Sequence, residues 1–207
     1  MARAFLDCAS AEPLRPEVLA AVETWLRLPQ ADPGRSYEEA LIVRRAVESA
    51  RDAVALLVGA TQRQVVFTAS ISESVNTSVA AALRNGGRVL AAAVERASVL
   101  ESAATHGTLE ALEVDDDGRV SPATLADALD GTPTALVCLQ LANHETGTLL
   151  DAAPLIAAAH DAGAAVHLDA SVAVGHVPID VNALGADYTT LCAETLGAPL
   201  GVGALVV

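Results

Sequence analysis

The strongest constraint on this chain is the alternation of short apolar runs with longer segments of helical periodicity. Seven such runs, each of six or seven residues, are apolar enough to be buried on both faces, as strands of a parallel sheet are. They cover residues 64–69, 88–94, 109–114, 135–140, 164–170, 187–193 and 202–207. The sequence therefore predicts an α/β domain built from β-α-β units, with a helix between successive strands.

Helix-terminus signals separate these runs. Two helices, over residues 15–28 and 37–58, are expected before the first strand. Ser70 with Glu73 forms a capping box, and Ser121 is an N-cap followed by a proline at the first helical position. Glycines stand where helices should end, at Gly59, Gly86 and Gly163. With no visible linker or repeat, these signals predict one domain in a chain of 207 residues.

Composition excludes several classes of function. The 12 basic side chains are all arginine, and 26 acidic side chains leave a formal net charge of −14. Such a chain lacks the positive surface that nucleic acid or an anionic membrane requires, so neither is expected as a partner. Residues 1–8 lack the apolar run of a signal peptide, and no later stretch is long enough to span a bilayer. Three widely spaced cysteines favour a reducing cytoplasm and predict neither disulfide nor metal site: Cys8, Cys138 and Cys192.

Polar residues that follow the strands are the candidate site, because ligands of open α/β sheets bind at the carboxyl ends of strands. The serine-rich turn at 68–74 opens a helix, where it either binds a phosphate or serves only as an N-cap. A second polar cluster occupies 143–147. Asp169 ends the fifth run and is costly to bury alone, so we expect it to meet a cationic or protonated group. His167, on the same strand face, is expected to be a hydrogen-bonded core residue.

Six motifs, in this order, resemble the cysteine desulfurase branch of the class V aminotransferases, which are pyridoxal-phosphate enzymes of fold type I. Residues 5–13 are similar to Y-L-D-x-A-A-T-T-P, 65–74 to V-F-T-S-G-x-T-E-S, 94–100 to V-E-H-x-A-V-L, 143–147 to N-[NH]-E-x-G, 167–170 to H-x-D-A, and 201–205 to G-x-G-A-L. The resemblance implies a three-layer α/β/α large domain around a mixed seven-stranded sheet whose last strand is antiparallel.

The resemblance also implies roles for individual residues. Ile71 and Ser72 would hold the phosphate of pyridoxal phosphate, and Asp169 would pair with its protonated pyridine nitrogen. His144 would lie against the phenolic oxygen of the ring. Cys192 stands at the position of a serine that contacts the phosphate.

Four departures from the family motifs argue against catalysis. Arg96 replaces the histidine that stacks on the cofactor ring, and Val172 replaces a glutamine. In the segment similar to S-G-H-K, Glu194 replaces the histidine and Thr195 replaces the lysine that forms the Schiff base. No other lysine exists in the chain, so the resemblance implies a pocket that binds the cofactor at most without a covalent bond.

The expected organisation is an N-terminal segment, 1–14, which relatives join to their small domain, and a large domain, 15–207. The family's carboxyl-terminal small domain is expected to be absent. Three functions stay open: an inactive relative of a cysteine desulfurase, a non-catalytic homodimer or heterodimer partner of an intact paralogue, and a pocket that uses Arg96, Cys192 and Glu194 for a small anionic ligand.

Overall fold

A mixed sheet of seven strands lies at the centre of the fold, in a computed structural model that describes residues 4–28 and 30–207. Its spatial order is β1-β7-β6-β5-β4-β2-β3. The strands in chain order are β1 Val65–Thr68, β2 Arg88–Ala92, β3 Thr108–Leu112, β4 Leu136–Gln140, β5 Ala165–Asp169, β6 Tyr188–Cys192 and β7 Gly203–Val206. Six of these strands lie within the predicted runs, and β3 begins one residue before its run. The predicted mixed seven-stranded sheet is therefore confirmed.

Strand direction also agrees with the expectation. Strands β2 to β6 pair in parallel with one another, whereas β7 pairs antiparallel with both β1 and β6. Because β7 reverses direction between them, β1 and β6 point the same way. The carboxyl ends of β1, β2, β4, β5 and β6 consequently meet at one edge of the sheet.

Helices cover both faces of this sheet. They are α1 Pro16–Arg27, α2 Glu38–Leu57, α3 Ile71–Ala82, α4 Ala97–His106, α5 Pro122–Leu129, α6 Ala152–Asp161 and α7 Val181–Leu184, with 3₁₀ turns at Gln62–Gln64 and Glu194–Leu196. One apolar cluster joins α3 and α4 to the sheet, and a second, larger cluster joins α2, α5 and α6 to the opposite face. Along β2 the side chains alternate between the two clusters, as a pleated strand between two helical layers requires. This is the predicted three-layer arrangement.

The N-terminus of α3 differs in one detail from the prediction. Ser70 caps the helix, since its hydroxyl accepts the Glu73 N–H at 3.1 Å. The Glu73 carboxylate, however, accepts the N–H of Ala69 at 2.6 Å instead of the N–H of Ser70. Because Ser70 is fully extended, with φ −170° and ψ 166°, the glutamate reaches past it to the preceding residue. The predicted capping box is therefore displaced by one residue.

The amino-terminal segment packs beside the turn that follows β6. The N–H of Glu12 donates to the Glu194 carbonyl at 2.8 Å, and the N–H of Arg15 donates to the Gly197 carbonyl at 2.9 Å. Residues 1–3 of the predicted segment 1–14 lie outside the described residues. Within the described ranges, no helix is both long and apolar enough to cross a membrane.

Candidate functional site

Asp169 and Arg96 form an ion pair at the centre of this edge. Asp169 ends β5, and Arg96 is the N-cap residue of α4, in the loop that follows β2. The Arg96 side chain makes no capping bond to its own helix, and its Nε lies 3.4 Å from Oδ2 of Asp169. The aspartate side chain is 3% exposed and the arginine side chain 21% exposed. The predicted cationic partner of Asp169 is thus supplied by the chain itself.

Backbone contacts position the other oxygen of Asp169. Oδ1 accepts the N–H of Ser171 at 2.8 Å. Oδ2 has no bond with hydrogen-bond geometry among the described residues, so the contact with Arg96 is a charge pair and not a hydrogen bond. The carboxylate is held in one orientation, with its second oxygen facing the guanidinium.

Glu95, which the sequence analysis did not single out, is a second buried carboxyl beside this pair. The residue is 6% exposed, and neither carboxyl oxygen has a hydrogen-bond partner within the described part of the chain. Burial raises the pKa of Glu95 well above its ordinary value, and the negative charge of Asp169 raises it further. The positive charge of the Arg96 guanidinium opposes this rise without cancelling it. Glu95 therefore carries a proton under conditions in which an exposed glutamate is ionised.

The other buried titratable groups near this cluster are uncharged as well. Burial lowers the pKa of His167 to about 4, although Asp169 acts in the opposite direction. His167 Nε2 lies 2.9 Å from the Thr190 hydroxyl, which confirms it as a hydrogen-bonded core residue. Burial raises the pKa of the Cys138 thiol, and the Glu95 carboxyl adds to the effect.

The predicted phosphate turn is the N-terminus of α3, a helix of 12 residues. Two amide groups of this turn are already used, because Glu73 accepts from Ala69 and Ser70 accepts from Glu73. Ile71 and Ser72 begin the helix, and their first-turn amides can donate to an anion. The N-cap interpretation of this turn is confirmed by the Ser70 bond, whereas the phosphate interpretation stays a prediction.

The side chain of Thr195, which stands where the family motif has lysine, makes hydrogen bonds within the protein. Its side-chain hydroxyl donates to the Ser171 carbonyl at 2.6 Å, and the Cys192 thiol donates to the same carbonyl at 3.3 Å. The two side chains are themselves 3.3 Å apart, and both residues are buried. Burial is the main cause that raises the pKa of the Cys192 thiol. The Cys192 side chain thus contributes to the core of this turn.

The remaining predicted residues are spread around the edge. His144 has a buried Nδ1 without a hydrogen-bond partner in the described residues, and its Nε2 lies 3.5 Å from the Glu145 carboxylate. Glu194 begins the 3₁₀ turn after β6 and offers its carbonyl to the amino-terminal segment. Val172 lies in the loop after β5 and is half-buried.

A pocket of about 350 Å³ opens beside this edge. Val172, Thr195 and two members of the predicted cluster 143–147, Asn143 and Gly147, line it, together with Cys8 and Glu12 of the amino-terminal segment and His176. His176 is exposed, and its Nε2 donates to the Thr195 carbonyl at 3.1 Å. No signal in the sequence connects His176 or Glu12 to Thr195, because only the folded chain brings them together.

The site fits one end of pyridoxal phosphate and not the other. The α3 turn suits the phosphate group. The surroundings of the ring do not suit it, because Asp169 already faces the Arg96 guanidinium and position 195 carries a hydroxyl, hydrogen-bonded to the Ser171 carbonyl, instead of an amine. Among the described residues, no group of three or more His, Cys, Asp or Glu side chains is placed to hold a metal ion.

Comparison with known proteins gives a consistent result over nearly the whole chain. A family model described as Aminotransferase class-V matches residues 4–207. Cysteine desulfurase IscS of Dictyoglomus turgidum is 34% identical over 211 residues, covering 98% of this chain and 53% of the relative. Cysteine desulfurase 2 of Trichormus variabilis is 34% identical over 212 residues, covering 98% and 52%. A solved structure described as SspA in complex with cysteine has a TM-score of 0.92 at 25% identity, covering 98% of this chain and 60% of that one. The chain spans about half the length of the curated relatives it matches.

Proposed function

The chain belongs to the class V aminotransferase family and has the α/β architecture of fold type I, and from that premise we propose that these 207 residues form a non-catalytic relative of the cysteine desulfurases. The observation that carries this proposal is the state of Thr195. Its hydroxyl is buried and donates to a backbone carbonyl at the position where the family motif has lysine.

The chemical argument rests on the amine. Cysteine desulfurases hold pyridoxal phosphate, which supplies an electron sink, through a Schiff base to a lysine. A threonine hydroxyl cannot form an imine, and the 207 residues contain no lysine. Any pyridoxal phosphate bound by this chain is therefore held without a covalent bond, chiefly through its phosphate at Ile71 and Ser72.

Because the chain contains no lysine, no lysine side chain can react with the aldehyde of pyridoxal phosphate in the following experiment. The purified chain, without a lysine-containing tag, is incubated with pyridoxal phosphate and reduced with borohydride, and its intact mass is measured. We expect no adduct within the chain, because the α-amino group is its sole primary amine. Peptide mapping separates an adduct at that terminus from one elsewhere.

Two variants calibrate this measurement. Thr195→Lys places an amine at the pocket lining, and Thr105→Lys places one on the exposed surface of α4. A reduced adduct on Thr195→Lys in excess of that on Thr105→Lys would show that the pocket still admits the aldehyde. An internal adduct on the unchanged chain, or alanine formed by it from cysteine, would contradict the proposal.

A second candidate function, a non-catalytic dimer partner, is favoured by the exposed apolar surface of α1 and α2. Helix α1 has no buried residue, and Leu26 on it is 72% exposed. A shallow groove along α1 is lined by Val18, Val22, Trp25 and Leu26. Apolar surface of this kind is characteristic of a protein interface. We propose that a second copy of this chain, or an intact paralogue, covers it.

Trp25 is the chain's one tryptophan, and it reports this association directly. Sedimentation and tryptophan emission are followed over a dilution series, and we expect emission to shift to shorter wavelength as the larger species forms. Leu26→Ser should weaken association, whereas Leu200→Ser, which alters an equally exposed leucine at 74%, should not. A monomer at every concentration, with unchanged emission, would contradict self-association.

We further propose that residues 1–14 form an N-terminal segment attached to a large domain of residues 15–207, and that the protein is cytoplasmic, which its three free cysteines support. A site for a small anion at Arg96 and Cys192 is not favoured. Arg96 pairs with Asp169, and the Cys192 thiol donates to a backbone carbonyl, so neither is free to bind an anion.

A further inference from the structure

The guanidinium of Arg96 and the carboxylate of Asp169 meet at the position where a cationic ligand would have to enter. Asp169 lies at the end of a central strand, is almost completely buried and is oriented by the Ser171 N–H. A buried carboxylate of this kind needs a positive partner, from the protein or from a ligand. Here Arg96 supplies that partner from the loop after β2, with its Nε 3.4 Å from Oδ2 of Asp169.

We propose that Arg96 acts as a built-in substitute for a cationic ligand, so that the site is neutral and closed to a pyridinium ring without any cofactor. This inference concerns Arg96 and Asp169. It is independent of the absence of a Schiff base, which depends on Thr195. The positive charge that a pyridinium nitrogen would bring to Asp169 is already present.

The charges of the surrounding groups support this inference. Glu95 is buried beside the pair without a hydrogen-bond partner among the described residues, and burial raises its pKa, so it is held as a neutral acid. Burial likewise raises the pKa of the Cys138 and Cys192 thiols and lowers the pKa of His167, so these neighbouring side chains are uncharged as well. The cluster thus contains one cation and one anion, and a second cation would be in excess.

The position of Arg96 at the start of a packed helix keeps its side chain beside Asp169. As the N-cap residue of α4, it has an extended backbone with φ −60° and ψ 149°, and α4 packs against the sheet through its buried residues Val99 and Ala103. The packed helix fixes the root of the side chain. A ring that approached Asp169 would have to displace the guanidinium from a site that is one-fifth exposed.

Chemical rescue tests the inference without any measurement of activity. Arg96→Ala removes the cation and leaves space beside Asp169, and thermal unfolding is measured with and without N-methylguanidinium at low millimolar concentration. We expect a lowered Tm that N-methylguanidinium restores in part, while the neutral isostere N-methylurea does not. Arg35→Ala is the matched control, because Arg35 pairs with Asp32 at the same 3.4 Å but on the exposed surface.

The same variant should gain affinity for the cofactor. In absorbance titrations we expect Arg96→Ala to bind pyridoxal phosphate at least tenfold more tightly than the unchanged chain, a change equivalent to about 1.4 kcal/mol. Equal affinity in both proteins, or no rescue by the cation, would overturn the inference. If Arg96→Ala does not fold alone, Arg96→Gln is used for the titration, since it retains the aliphatic stem. Covalent attachment on borohydride reduction would instead overturn the proposed function, so the two failures are distinguishable.

Discussion

Glu95 provides the most informative prediction, because its neutral state links the candidate site to the stability of the fold. The folded protein raises the pKa of this carboxyl by burial and by the neighbouring Asp169, whereas the unfolded chain has an ordinary glutamate. Between the two pKa values, the folded state holds a proton that the unfolded state has released. Stability therefore falls as the pH rises through this window.

Replacement of Glu95 by glutamine removes the proton and nearly preserves the shape of the side chain. Each pH unit inside the window costs the wild-type protein about 1.4 kcal/mol, which is the free energy of one proton per unit. Two such units cost about 2.7 kcal/mol, a large fraction of a typical domain stability of about 5–15 kcal/mol.

Urea unfolding between pH of about 5 and about 8 measures this difference. We expect the free energy of unfolding of Glu95→Gln, relative to wild type, to increase with pH and then level off above the folded-state pKa. Glu113→Gln, at an exposed position, reports the general effect of removing one negative charge from a chain of net charge −14. A difference between wild type and Glu95→Gln that is constant across this range would refute the neutral-acid assignment.

Three further perturbations test the surrounding structure. The pKa of His167 is lowered to about 4, so the wild type loses free energy of unfolding as the pH falls from about 6.5 toward that value. His167→Gln should reduce this loss. An unchanged dependence on pH in urea unfolding would contradict the assignment. Arg96→Met should destabilise by about 3 kcal/mol, since it strands a buried carboxylate, whereas Arg35→Met should cost less than about 1 kcal/mol; equal losses in thermal unfolding would show that burial of the pair is unimportant. Thr195→Val should cost about 1 kcal/mol, near the lower end for a buried hydrogen bond, because the Cys192 thiol still donates to the same carbonyl. Thr24→Val, which removes an exposed 2.8 Å bond on α1, should change stability by less than about 0.5 kcal/mol, and a similar effect of both would argue against the buried bond.

Most of the fold could be predicted from the sequence, because a strand that is buried on both faces is a continuous run of apolar residues. Each strand of the sheet coincides with an apolar run to within a residue or two, and α2 and α6 end just before Gly59 and Gly163 as predicted. The prediction for Gly86 is wrong, because α3 already ends at Ala82 and is capped by Leu83. Gly59 shows why local signals are reliable at such positions: its φ of 69° is unfavourable for other residues, and a Cβ there would lie 2.9 Å from Asp180.

The candidate site could be predicted less completely. Asp169 was expected to meet a positive group, and the family motifs pointed to a pyridinium nitrogen, but the structure places Arg96 there. Glu95 was missed because its residue type does not distinguish it from the many exposed acids of this chain. Its place in the sequence was the one available signal, since Glu95 directly follows a buried run and precedes the arginine that departs from the family motif.

The sequence by itself determined the strand and helix pattern, the absence of lysine and the identity of Thr195, since each of these follows from the order and identity of the residues without any contact between distant parts of the chain. Tertiary structure alone decided which charges meet. Arg96 and Asp169 are 73 positions apart; Arg96 lies in the loop after β2 and Asp169 at the end of β5, and the two strands are separated in the sheet by β4. Parallel strands bring such loops to one edge, and burial there decides which carboxyl stays charged and which keeps its proton.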